Sequence, residues 1–117
     1  MNAEDFVGAL KAHVINAAVD DTISNLENPP GRRVSEAERA LSQWYKQLSP
    51  KDAENLRSVL AQVSHQAVFG VLAVIDGVRT VDDGVGHFEL AYVATARSVL
   101  NDPELPPLHD LLNATDM

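Results

Sequence analysis

The side chains with most to offer chemically are four histidines, His13, His65, His87 and His109, and the acids Asp76, Asp82, Asp83, Glu89 and Asp110. Imidazole can move protons near neutral pH or hold a transition metal, and carboxylates can serve beside it in either role. Spacing narrows the field. His13 and His65 have no histidine or carboxylate three or four residues away, and no HExxH or ExxH pattern occurs, so both read as outward-facing helix residues. His87 follows Asp82 and Asp83, and His109 precedes Asp110. A tail folded back on the acidic turn would gather His87, His109 and Asp110 into a nitrogen- and oxygen-rich set, the one metal or enzyme reading open to this chain.

Other chemistries lack their residues. With no cysteine there is no disulfide, thiolate nucleophile, iron–sulfur cluster or cysteine zinc site. Asp82-Asp83-Gly84 places its acids side by side, whereas a calcium loop alternates them and ends on a glutamate; turn formation accounts for it. There is no GxSxG elbow, P-loop or GxGxxG. Ser35 and Ser49 read as helix caps, Trp44 and Tyr45 as core-facing, and Arg32 and Arg33 as a loop pair. No cofactor is expected.

Seventeen acids against nine bases give a formal charge of −8, which repels phosphate backbones and argues against nucleic-acid binding. The same surface would be drawn to a basic protein. The start, MNAEDFVGALK, carries acids where a signal peptide carries bases, and no uninterrupted apolar run nears the ~20 residues of a membrane span. The expectation is a cytoplasmic protein without a membrane partner. Its oligomeric state is open, a homodimer included.

These groups must be positioned by elements that punctuation makes legible. Residues 3–27 predict a first helix with Phe6, Leu10, Val14, Ala17 and Ala18 inward, broken by the NPPG of 28–31. Ser35-Glu36-Ala37-Glu38 is a capping box opening a second helix, with Ala37, Leu41, Trp44 and Leu48 as its core stripe. Ser49 as N-cap and Pro50 at the first helical position open a third at once, so the two form an antiparallel pair or a sharp corner.

In that third helix, polar positions at 51, 54, 55, 58, 62, 65 and 66 set a phase that runs on to Asp76. Ala53, Leu56, Leu60, Val63, Ala67, Val71, Val74 and Ile75 then point inward, and Phe69 and Ala73 outward. Gly77 suits the residue after the helix end, a close helix contact would explain Gly70, and Arg79 would relieve the ill-placed charge of Asp76. A strand over 68–76 is the competing reading, since Val, Ile and Phe favour sheets. HFELAYV then alternates, with Phe88, Leu90 and Tyr92 on one face, and RSVLND offers a return strand. The connecting Ala94-Thr95-Ala96 contains no good turn residue, and a helix over 87–100 is the alternative. LHDLLNA predicts a short last helix docking Leu108, Leu111 and Leu112.

The segments FGVLAVIDGV, DDG, FELAYV and VLNDPELPPLHDLLN, spread over residues 66–113, resemble the shared part of small acidic bacterial proteins, some of which are regarded as immunity-type. The resemblance implies a helix running into the DGV segment and then a hairpin, and it transfers no catalytic residue. Together these readings predict one α+β domain over 1–117: three helices with the third long and central, a small hairpin and a short terminal helix, with an all-α fold as the alternative. They favour a non-enzymatic interaction protein, an immunity-type inhibitor presenting Asp76, Asp82, Asp83, His87 and Glu89 to a basic partner. The alternative is a small enzyme or metal-binding domain built on His87, His109, Asp110 and the Asp82–Asp83 pair.

Overall fold

A computed structural model describes residues 1–115. The fold is α+β: α1 (Ala3–Leu10), a π-helical segment (Lys11–Ile15), α2 (Asn16–Glu27), α3 (Glu36–Lys46), α4 (Pro50–Ile75), a hairpin of β1 (Ala91–Val93) and β2 (Arg97–Val99), and α5 (Leu108–Ala114). The long central helix and the hairpin are as predicted, and helical backbone over 68–75 excludes the strand reading.

Caps set the helix starts. Asn2 accepts from the Asp5 amide at 2.8 Å while the Asp5 carboxylate accepts from the Asn2 amide, a capping box that sequence reading passed over. Ser35 accepts from the Glu38 amide as expected, but Glu38 answers by accepting from the Ser35 hydroxyl rather than from its backbone. Ser49 accepts from the Asp52 amide ahead of Pro50. At the far end of α4, Gly77 takes φ +82°, the Val78 amide donates to the Ala73 carbonyl and the Gly77 amide to that of Val74. These are the two bonds of a Schellman motif, which needs a left-handed residue after the helix and finds it in glycine.

The first helix is continuous over 3–27, and its buried residues are Ala3, Val7, Ile15, Val19 and Ile23; of the predicted stripe Phe6 and Leu10 pack against the core, whereas Val14 and Ala18 are exposed. Those buried positions recur in steps of four or eight. A regular α-helix drifts about 40° per four-residue step, so such a stripe winds off the core unless the helix is locally underwound. The π-helical turn at Lys11–Ile15 takes up the extra residue and brings Ile15 back to the interior.

The core lies where α1, the second half of α4 and α5 meet: Ala3, Val7, Ile15, Leu72, Leu100, Leu108 and Leu112, flanked by Phe6, Val68, Phe69 and Leu90. Leu108 and Leu112 are fully enclosed, so α5 acts as the wedge. Each enclosed leucine contributes about 1.5–3 kcal/mol by leaving water. Away from that junction, Arg57 bridges α4 to Asp20 of α2 at 2.8 Å, and the Ser42 hydroxyl donates to the Leu26 carbonyl at 2.7 Å, seating α3 on the end of α2.

The predicted core faces of α3 and α4 need correction. Helix α3 packs on α2 and is joined to α4 by three residues, leaving Ala37, Leu41 and Trp44 exposed. On α4, Val63, Ala67 and Val71 face out, while Ala73 is buried and Phe69 partly so. By length and composition alone α4 is long and apolar enough to cross a membrane, with polar residues at 62 and 64–66 interrupting its apolar run.

The hairpin pairs Ala91 with Val99, Tyr92 with Ser98 and Val93 with Arg97, and the Ala94 amide donates to the Ala96 carbonyl across the tip. It closes without glycine and without a positive-φ residue in the turn. Leu90 and Leu100 carry it to the core, whereas Phe88 and Tyr92 stay exposed.

Candidate functional site at the carboxyl end of the long helix

Asp76 is the C-cap residue of α4, where a negative charge meets the negative end of the helix dipole. Relief comes from α5. One Asp76 oxygen, Oδ2, accepts from the His109 backbone amide at 2.9 Å and lies 2.6 Å from the same residue's Nδ1. The N-cap of α5 is Pro107, whose side chain offers no acceptor, so Asp76 caps that helix from 33 residues away. The carboxylate sits between an unfavourable helix end and a favourable one, and the imidazole tips the balance.

The pair is enclosed: the Asp76 side chain is 5 % exposed and that of His109 14 %. Phe69 of α4 stands edge-on to the imidazole, centroids 5.4 Å apart at 89°. A carboxylate on Nδ1 is how a general base is oriented in hydrolytic triads, with Nε2 aimed at a nucleophile. Here Nε2 faces Asp110 Oδ1 at 3.4 Å instead of a hydroxyl. The arrangement fastens α5 to α4.

Asn101, near the end of the RSVLND segment, locks the hairpin to the long helix. Its Nδ2 donates to the carbonyls of Ile75, at 3.1 Å, and Phe88, at 2.8 Å, and its Oδ1 accepts from the Leu90 amide at 2.8 Å. One amide side chain thus satisfies a carbonyl of the last turn of α4 and ties the hairpin to it. The partners are backbone groups 11 to 26 residues away, so no local pattern announces them.

Of the five acids and histidines expected to form an interaction surface, Asp76 is withdrawn into the fold. Asp82 accepts from the Gly84 amide at 3.1 Å, the turn chemistry anticipated for it, and Asp83 is exposed. Glu89 is exposed but paired with Arg97 across the hairpin. His87 is exposed and lines a hollow of about 170 Å³ with Asp76, Phe88, Glu89 and Asn101. His109 and Asp110 are adjacent, with Asp110 largely exposed. Among the described residues no group of three or more His, Asp or Glu side chains is placed to hold a metal ion, so His87, His109 and Asp110 do not come together as ligands.

Arg79 does not answer Asp76. Its guanidinium lies over Gly70, so close that a Cβ there would meet Nη1 at 2.6 Å. What approaches this glycine is a side chain, not another helix. Between Gly77 and His87 every residue is exposed, and Val78, Val81 and Val85 alternate with Arg79, Asp82 and Asp83. Comparison of the chain with protein-family models, with curated proteins and with solved structures finds no match.

Proposed function

We propose that this chain is a non-enzymatic protein-interaction domain that presents the acidic turn after α4 to a basic partner, in the manner of an immunity-type inhibitor. The observation that carries the reading is the segment 78–88: Val78, Val81, Val85 and Phe88 stand exposed among Asp82 and Asp83 at one end of a long helix. Apolar anchors ringed by charge are what a recognition loop needs, the apolar groups supplying affinity and the acids steering encounter. The Asp76–His109 pair, the arrangement nearest to a catalytic one, is engaged in joining two helices. The formal charge of −8 and the likeness of residues 66–113 to immunity-type proteins point the same way.

The test compares the wild-type chain with Asp82→Lys/Asp83→Lys as bait in native lysate. The wild type is expected to retain a basic protein that salt releases, since contacts between exposed charges are screened beyond about 10 Å at 0.1 M salt. The double variant is expected to lose it. Equal capture by both baits overturns the reading.

A further inference from the structure

Among the described residues, none covers one face of α4. Val59, Val63, Ala67 and Val71, four residues apart, are all exposed, Val59 to 52 % and Val63 and Val71 each to 59 %. Between Arg57 and Asp76 the helix carries no charged residue. In a chain bearing −8, that face is where a second copy can approach without meeting its own charge.

The dimensions say how much surface awaits cover. The chain exposes 8354 Å², whereas a folded monomer of its 12.7 kDa exposes about 6,200 Å². Its radius of gyration is 18.1 Å, against about 13 Å for a compact domain of similar length. The surplus is about 2,000 Å² per chain, and obligate homodimers bury about 2,000–5,000 Å² in total. A second copy is an occupant of the right size.

We propose that α4 is the seam of a homodimer, the ridge Val59–Val63–Ala67–Val71 of one copy crossing the same ridge of the other about a two-fold axis near Ala67. Ridges of residues four apart interdigitate at about −50°, and the small side chain of Ala67 lets the two helices close. A two-fold contact is self-complementary, so one patch serves both copies. The acidic turn begins ten residues beyond Ala67, about 15 Å along the helix, and stays free for a partner. A bilayer is the competing occupant, because α4 is long and apolar enough to span one. But Arg57 binds Asp20, His65 Nε2 lies 3.0 Å from Asn113 Oδ1 and Leu72 is buried in the core, so insertion would strip the helix from α2 and α5.

Light scattering on the full chain is expected to give twice 12.7 kDa. Val63→Glu/Val71→Glu is expected to weaken association at least tenfold, with the far-ultraviolet dichroism of the wild type. Since the chain has no cysteine, Ala67→Cys alone should form an interchain disulfide on mild oxidation, while Val85→Cys, off the seam, should not. Should the glutamate variant fail to fold, the pair of cysteine variants decides. A wild type that stays monomeric at about 100 μM, the range where a stable homodimer persists, overturns the proposal. So do a glutamate variant that is still dimeric, equal cross-linking of both cysteines, and flotation of the wild type with neutral-lipid vesicles.

Discussion

At the residue scale, Asp76 separates the effects of charge from those of hydrogen bonding. Both of its bonds fall on a single oxygen, so Asp76→Asn can keep an acceptor in place while removing the charge, and Asp76→Ala removes both. A buried donor left without an acceptor costs about 1–3 kcal/mol, and hydrogen bonds to charged groups are worth about 1.5–3 kcal/mol. Urea unfolding is expected to show Asp76→Ala destabilised by about 3 kcal/mol and Asp76→Asn by roughly half as much. Equal losses would mean that the charge carries no weight. Asn101 gives a sharper case, because its Nδ2 faces two carbonyl oxygens. Asn101→Asp turns that donor into a third acceptor and should cost more than Asn101→Ala, which is expected to lose about 2–3 kcal/mol. A more stable aspartate variant would refute this account. Sequence showed Asp76 as ill-placed for its own helix but not what rescues it, since that partner lies 33 residues on.

At the element scale, boundaries were legible and phases were not. Ser35, Ser49, Pro50 and Gly77 mark helix ends by local chemistry that works wherever the helix lies. Which side of a helix is buried depends on its neighbours, and there the reading needs correction in the first helix, in α3 and in α4. In the first helix it assumed an unbroken 3.6-residue period, although Val7, Ile15, Val19 and Ile23 already spell a stripe too slow for one. Deleting Ala12, exposed in the π-helical turn, should restore a regular α-helix and keep Val7 and Ile15 on one face, since the seven steps then between them turn about 700°, close to two full turns. Val7 and Val19 then both stay on the core, and a thermal midpoint at or above that of the wild type is the expected result; a large fall would show that the turn does more than absorb one residue. In α4, Gly70 lies under the end of Arg79, an exposed and flexible side chain that can swing aside. Gly70→Ala should therefore recover helix propensity and stabilise the fold by up to about 1 kcal/mol. Destabilisation would instead assign Arg79 a fixed seat.

At the scale of the whole molecule, the misplaced core residues share a cause. Leu41, Trp44, Val63, Ala67 and Val71 were expected to be buried because an apolar stripe wants cover, and within one chain they are bare. Periodicity identifies a face that wants burying, but it is silent on whether the cover belongs to the same chain. The α+β order, the central helix and the wedge of Leu108 and Leu112 depend on contacts inside the chain, and those the sequence disclosed. The bare faces make the difference measurable without any variant. If two copies share α4, unfolding turns one folded dimer into two chains, and mass action makes the thermal midpoint rise with concentration. A chain whose core is complete alone melts at a fixed temperature however dilute. Scans over a hundredfold range of concentration should therefore show the midpoint climbing by several degrees, and the climb should vanish in Val63→Glu/Val71→Glu. A flat wild-type series would mean that about 2,000 Å² of surplus surface stays in water, and that the acidic turn is carried on a rod with no counterpart.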